Sequence, residues 1–477
     1  MAIRHYVLLA TDGFIELPTT NELCPSESTR QKVYIFGFVG GLFRVIEQGR
    51  TSYENNKLDW TNSANHTYLR GLTSTASIPS PMIWAEVGDQ LYVTLINLGM
   101  PESGLMDPHT IHLHGAHVAT QLDGFPETSF GVPMWMNEPI PPSATYYFKP
   151  EGPGTMMYHC HVEAHEHVQM GMYGGLVIYP SVESLKKAGI TQNCEGWWEL
   201  DGEKQRQIPR NASHRNFAYN DVNTYFDKEY LLLLSDIDLA WHQSVLAGTG
   251  YNASNFKPDF WLVNGRAFPD TLLPHPQTPG ENESIHLRQI NYESYVHVTT
   301  GQKFLLRMVN MGYQVVPWHI HGWHFSVIGK DAHISPFLLM NTGMTMHGMP
   351  VTEMGFTATI GSGETHDLLL TADNKRPVYG KYILQGPGRL CSQIAKLETI
   401  DPTLIAQIPT EPVDCENTNY VNYVELCEEG DFLPQFYPMH NHDDYKVTNT
   451  NTLANPVISM YPGGQLTFIQ TDAPAGR

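Results

Sequence analysis

Charge is scarce in this chain, and positive charge scarcer still. Only 16% of the 477 residues are charged, with 28 Lys and Arg against 49 Asp and Glu, for a formal net charge of −21. That balance excludes the usual route to nucleic acid or an anionic membrane surface, which needs a basic face. It would instead draw cations, metal ions among them. No apolar run approaches the ~18 residues that a membrane-spanning helix requires. The opening MAIRHYVLLATDGFIELP has a short apolar patch but no signal-peptide layout. Either the chain is cytosolic or a leader has been removed. Low charge does not mean disorder here, because 41% of residues are hydrophobic, enough for real cores.

Cysteine is also sparse, with six in all. If Cys160 is a metal ligand, Cys24, Cys194, Cys391, Cys415 and Cys427 remain. An odd remainder allows at most two disulfides and one leftover thiol. Cys415 and Cys427 are the nearest pair, but sequence does not fix connectivity. Four N-x-S/T sequons, at Asn65, Asn211, Asn252 and Asn282, decide nothing, because chance supplies nearly as many.

Helical periodicity is scarce as well. Short alternating runs between Gly, Pro, Asn and Asp dominate, which predicts an all-β chain of sandwich domains. WAEVGDQLYVTLINLG (84–99) resembles VHVTTGQKFLLRMVNMG (296–312), and each is followed by a histidine motif, HLHGAHV (112–118) or HIHGWHF (319–325). The copies lie a domain apart, so the chain is a duplication rather than a solenoid. The length suggests two or three domains. The first domain is expected over 1–180, a linker over 181–228 with a short helix in SVESLKKAGI, and the second over 229–477. A cysteine-containing insertion is expected near 388–433.

Four of the chain's His-x-His pairs stand out: His112/His114, His159/His161, His319/His321 and His440/His442. On a strand, residues i and i+2 share a face, about 7 Å apart along the backbone. Each pair therefore aims two imidazoles one way, a good arrangement for neighbouring metal ions. Among 23 histidines one accidental pair is plausible, but four pairs, two per repeat, are not. In YHCHVEAHEHVQM (158–170), Cys160 must point away from His159 and His161. A thiolate, two imidazoles and a weak axial thioether make a blue-copper electron-transfer site. His165 and Met170 follow Cys160 by five and ten residues, and His109 supplies a second imidazole.

These motifs together resemble the multicopper oxidases, the laccase-like family. H-x-x-H-x-H-G stands at His109 to Gly115, and H-C-H-x3-H-x4-M at His159 to Met170. H-x-H-G stands at 319–322 and H-x-H at 440–442. The resemblance implies two cupredoxin-like Greek-key β-sandwiches and four coppers per chain. It implies a type 1 copper on His109, Cys160, His165 and axial Met170. His112 and His319 would hold type 2 copper, and His114, His159, His161, His321, His440 and His442 the type 3 pair. Asp123 would be an acid near the cluster that helps deliver protons; the ordinary alternative is a turn Asp before Gly124. Asp443 and Asp444 could orient imidazoles or simply face solvent.

The second half departs from the three-domain laccases. It has Asn441 where a cysteine would stand, Val316 for the histidine, and Lys446 beyond. The similarity is to the two-domain type with the blue site in domain one. That type implies a homotrimer with each cluster between subunits, and an extracytoplasmic location, secreted or periplasmic. The implied partners are O2 and a small reducing substrate, such as a phenol, an aromatic amine or Cu(I), with no nucleic acid and no membrane span. Methionines at 340, 344, 346, 349 and 354, with His347, could admit Cu(I), or fill irregular core space. The competing functions are copper storage without turnover, and a copper nitrite reductase, whose catalytic copper needs three histidines rather than eight.

Overall fold

Alternating apolar residues impose extended backbone on most of this chain. The structure, a computed structural model, describes residues 1–22, 25–273, 292–339, 345–346, 349–350, 353–373, 375, 434–451 and 458–474. The expected insertion, Cys24, Cys391, Cys415, Cys427 and Asn282 lie outside the described residues, as does most of the methionine-rich segment. Among the described residues, no helix is long and apolar enough to cross a membrane.

Two sheets form the first half. One runs in the order Arg50–Tyr53, Arg30–Glu47, Ala2–Pro18, Gln90–Asn97, Ser143–Phe148; the other runs Ser80–Glu86, Tyr173–Tyr179, Gly154–His159, His112–His114. Their facing side chains share one core, in which Leu8, Phe36 and Leu95 of the first sheet meet Tyr158, Leu176 and Ile178 of the second. This is the all-β sandwich that the alternation predicts.

The second half repeats the plan. Its larger sheet holds Phe260–Val263, Lys228–Ile237, Lys303–Asn310, Thr365–Thr371 and Phe325–Lys330. Its smaller sheet sets Val316–Ile320 between Thr357–Ile360 and Gln435–Asn441. Residues 1–296, 303–370 and 437–469 form one compact unit. A smaller unit comprises 297–302, 371–436 and 470–477. Within it the Thr300 N–H donates to the Asp472 carbonyl at 2.9 Å, and the Ala372 N–H to the Gln302 carbonyl at 2.7 Å.

The expected linker is folded. Val182–Lys187 is a helix whose N-cap Ser181 exchanges hydrogen bonds with Ser184 in a capping box. A three-stranded sheet of Ile190–Gln192, Trp198–Leu200 and Glu203–Lys204 follows. Leu185, Ile190, Trp198, Ile208, Phe217, Val222 and Tyr225 converge into a core of their own. Their spacing has no period, so the sequence shows only a polar stretch.

The two halves are locked by a buried polar knot. Arg307 of the second half donates from Nε to Glu229 Oε2 at 2.7 Å, and from Nη1 to the hydroxyl of Thr155, in the first half, at 3.0 Å. Asp367 accepts from the Thr155 hydroxyl at 2.5 Å and from the Tyr219 hydroxyl at 2.6 Å. The Arg307 and Asp367 side chains are almost wholly inaccessible to water. Removing one partner would strand buried donors, which typically costs about 3–5 kcal/mol. Asp367→Ala is therefore expected to lower unfolding stability by about 3 kcal/mol or more, read as a lower urea midpoint at unchanged slope. A loss under about 1 kcal/mol would mean that the knot is not what joins the halves.

Candidate metal centre

The strand pair His112–His114 and Gly154–His159 sets the first site. It is antiparallel, with His112 opposite His159, Leu113 opposite Tyr158 and His114 opposite Met157. Leu113, Tyr158 and Cys160 turn into the sandwich core. The histidines turn the other way, as the two-residue period requires. His112, His114, His159 and His161 stand together there, with ring centroids 5.1–5.8 Å apart. Potential ligand nitrogens of His112, His114 and His159 all lie within 4.8 Å of one another.

The second half builds the same face. Val316–Ile320 pairs antiparallel with Gln435–Asn441, placing His319 opposite His440. Trp318 and Ile320 are buried on the other side. His319, His321, His440 and His442 have centroids 4.8–5.6 Å apart, and His321, His319 and His440 form a second ligand trio.

The rings are oriented by backbone carbonyls, and in matching fashion. The Nδ1 of His112 lies 2.7 Å from the Asp123 carbonyl, and that of His319 2.8 Å from the Phe356 carbonyl. The Nδ1 of His159 lies 2.8 Å from the Cys160 carbonyl, and that of His440 2.9 Å from the Asn441 carbonyl. A carbonyl only accepts, so each Nδ1 carries the proton and each Nε2 keeps its lone pair for a metal. Burial lowers the pKa of His112, His114, His319 and His321, and that of His159 to about 3. Neutral imidazoles are the form that ligates.

Asp123 contributes its carbonyl to this arrangement, while its carboxylate accepts the Phe125 N–H at 3.1 Å. Glycine is required after it: Gly124 has φ +81°, and a Cβ there would come within 2.3 Å of the Ile111 carbonyl oxygen. Asp443 pairs with Lys446 at 2.9 Å, and the exposed Asp444 lies 3.9 Å from His440 Nδ1.

On the core side of the same strand, His109, Cys160 and His167 form a third trio, each 0% exposed. Cys160 Sγ lies 3.4 Å from His167 Nδ1 and 3.7 Å from His109 Nδ1. The outer nitrogens, Nε2 of both rings, have no hydrogen-bond partner. Burial pushes the Cys160 thiol up to about 11 and His167 down to about 4. One sulfur and two neutral imidazoles, with no carboxylate, are a soft-metal donor set. A cation there would displace the thiol proton.

Here the structure departs from the expected spacing. His167, not His165, stands beside Cys160, and His165 is exposed. The chain turns through Glu163, at φ +40°, into the short helix Ala164–His167. Helix positions two apart lie about 200° apart around the axis, so His165 and His167 face opposite ways. Two thioethers are at hand. Met170 and Met172 are both fully buried in the Cys160 core. The Cys160 N–H donates to the Met172 carbonyl at 3.0 Å, and His159 pairs with Tyr173 next door. Met172 is thus directly across from Cys160, on its face of the sheet. The signal was available: His167 and Met172 repeat the five-residue interval of His165 and Met170.

No such trio exists in the second half among the described residues. Asn441 is buried and donates to Gln465 Oε1 at 2.8 Å, and Lys446 Nζ donates to the Val315 carbonyl at 3.1 Å. Among the described residues, no ring contact joins the two histidine quartets. Each is flanked by exposed apolar side chains: Phe125 packs on His161 and Phe356 on His319, with Phe130 nearby in sequence at 92% exposure and Tyr445 at 57%. Of the methionine-rich segment, only the backbone pairing of Thr345–Met346 with Met349–Pro350 and the strand Glu353–Gly355 are described.

Comparison with known proteins agrees with this geometry. Residues 59–183, which contain the first quartet and the Cys160 trio, match the family model described as multicopper oxidase. The chain is 26% identical over 223 residues to a copper-containing nitrite reductase of Pseudomonas chlororaphis, covering 46% of this chain and 56% of that protein. It is 30% identical over 178 residues to human hephaestin, covering 34% of this chain and 12% of hephaestin. The chain thus spans little more than half the length of the nitrite reductase it matches. Its fold is similar to that of a blue copper oxidase from Nitrosomonas europaea, with TM-score 0.52 and 20% identity over 98% of this chain and 85% of that one.

The placement of His167 is directly testable. His167→Ala is expected to abolish metal binding with a thiolate charge-transfer band, while His165→Ala keeps it. The reverse pattern in a copper or cobalt titration would restore the His165 assignment.

Proposed function

We propose that this chain, whose residues 59–183 match the multicopper oxidase family model, oxidises a small reducing substrate one electron at a time while reducing O2 to water. The observation that carries this reading is the placement of Cys160. Its side chain lies in the buried trio, while its two sequence neighbours, His159 and His161, lie in the open quartet. A single residue and its peptide bonds therefore join an electron-accepting site to a cluster site. Copper bound at these sites would supply one-electron redox chemistry and O2 binding.

In this reading His109, Cys160 and His167 would hold the type 1 copper, with Met172 offering a thioether. His112 and His319 hold type 2 copper, and His114, His159, His161, His321, His440 and His442 the type 3 pair. The chain's own work is to fix neutral imidazoles by backbone carbonyls and to exclude water from the Cys160 trio. The separation of the quartets within one chain, and the exposed apolar side chains beside each, support a homotrimer in which the first quartet of one subunit meets the second of the next. The same reading places the protein outside the cytoplasm, which fractionation of the native host would test.

The single most informative experiment is a copper count with an absorption spectrum and an O2-uptake assay. About four coppers per chain with O2 consumption fits the oxidase. About two, with reduction of nitrite, fits a nitrite reductase, the class to which the 26%-identical relative belongs. Copper without turnover fits storage.

Two further outcomes follow. Met172→Leu should shift the blue band or raise the site's potential, whereas Met170→Leu should leave both unchanged, since a volume-conserving swap costs under about 1.5 kcal/mol; the opposite result returns the axial role to Met170. On dilution to monomers, light scattering with copper analysis should show loss of the cluster copper and retention of the blue band. A fully active monomer would refute the shared cluster.

A further inference from the structure

The Cys160 trio has no edge at the surface. His109, Cys160 and His167, and the candidate thioethers Met170 and Met172, are all 0% exposed. A bulky reductant cannot touch any of them, yet the proposed reaction needs an electron to arrive there.

The second half supplies a route. The helix Leu239–Leu246 inserts Trp241, 1% exposed, into the same core cluster as Cys160, Met170 and Met172. Its indole N–H donates to Glu166 Oε2 at 3.1 Å, and Glu166 is the residue before His167. On its outer side Trp241 stacks on half-buried Tyr251, with centroids 4.8 Å apart and planes 18° from parallel. The Tyr251 hydroxyl donates to Asp238 Oδ2 at 2.7 Å. The other oxygen of Asp238 caps the helix through the Trp241 N–H at 3.1 Å. Tyr313 fixes the loop beneath, donating to the carbonyls of Ala164 at 3.0 Å and His165 at 2.6 Å.

Simple packing would account for buried aromatic rings. It does not require a near-parallel stack that runs from half-buried Tyr251 into the core cluster holding Cys160, with the inner ring 6.1 Å from His165 and bonded to Glu166, nor a phenol already paired with a base. We propose that Tyr251 and Trp241 are an electron-entry relay for the Cys160 site, with Asp238 as the proton acceptor of Tyr251. This rests on the copper reading of that site. With copper bound by His109, Cys160 and His167, one electron leaving the pair inward would reduce it from cupric to cuprous. In the same step the Tyr251 proton moves to Asp238, leaving a neutral tyrosyl radical. A phenol or aromatic amine at the surface refills that radical with one electron, and Asp238 returns the proton. The substrate, oxidised by one electron, releases its own proton to water.

Three variants test the relay. Tyr251→Phe keeps the stack and removes the O–H; Trp241→Phe shortens the inner ring; Asp238→Asn keeps a residue that can cap the helix but not a base. In the copper-free chain, a photogenerated one-electron oxidant should produce a tyrosyl radical by paramagnetic resonance. That signal should be lost in Tyr251→Phe and form more slowly in Asp238→Asn. In the anaerobic copper-loaded chain, bleaching of the blue band by a bulky phenol should slow about tenfold or more in Tyr251→Phe and Trp241→Phe, with the band itself unmoved. Rates within about twofold of the parent in both variants, or an unchanged radical signal in Tyr251→Phe, would overturn the relay. A parent chain with no blue band would remove the copper reading and the relay's acceptor together, whereas a blue parent with unmoved rates removes the relay alone.

Discussion

Side chains of successive strand residues point to opposite faces, and the chemistry of this protein depends on that constraint at one place. Between Tyr158 and His161 the chain alternates between a dry core and an open face. The core side can hold a soft donor set without water. The open side can gather imidazoles with free lone pairs. A helix could not do this, because residues one apart on a helix diverge by about 100° and would not divide cleanly between two environments. The second half keeps the open face and gives up the other: Asn441 occupies the inward position and spends its amide on Gln465. Among the described residues the buried sulfur–imidazole donor set therefore stands on the first-half side alone.

The histidine pairs were legible because strand geometry turns a two-residue spacing into a shared face with no further information. The all-β class and the duplication were legible for the same reason. The repeated five-residue interval offered both His165 with Met170 and His167 with Met172, but the choice between them was not legible, because it depends on a left-handed residue at Glu163 that starts a helix inside a strand-like motif. Spacing counted along the sequence cannot see that turn. The folded character of 181–228 was hidden because its apolar residues converge from irregular positions. The knot around Arg307 was hidden because Thr155, Tyr219, Glu229 and Asp367 are ordinary polar residues until the fold brings them together.

The two quartets and the polar knot place opposite demands on the same pair of domains. The knot, buried and joined by four side-chain hydrogen bonds, ties the halves of one chain together. Within that relation no ring contact joins the quartets among the described residues, and His114 and His159 of the first line a pocket with Met311 and Tyr313 of the second half.

The opening hairpin has a consequence for how the molecule can come apart. Ala2–Pro18 and Arg30–Glu47 are 17 and 18 residues long, paired along their whole length, where strands of five or six residues are usual. One face, with Leu8, Tyr34 and Phe36, belongs to the first sandwich core. The opposite face, through Ile15, Leu17, Val33 and Ile35, packs among Leu231, Phe260 and Val309 of the second half. One rigid ribbon is thus a structural part of both sandwiches. Neither can loosen without disturbing backbone hydrogen bonds shared with the other, so the two halves should open as one cooperative unit, and their deepest amides should exchange with solvent at a common, global rate.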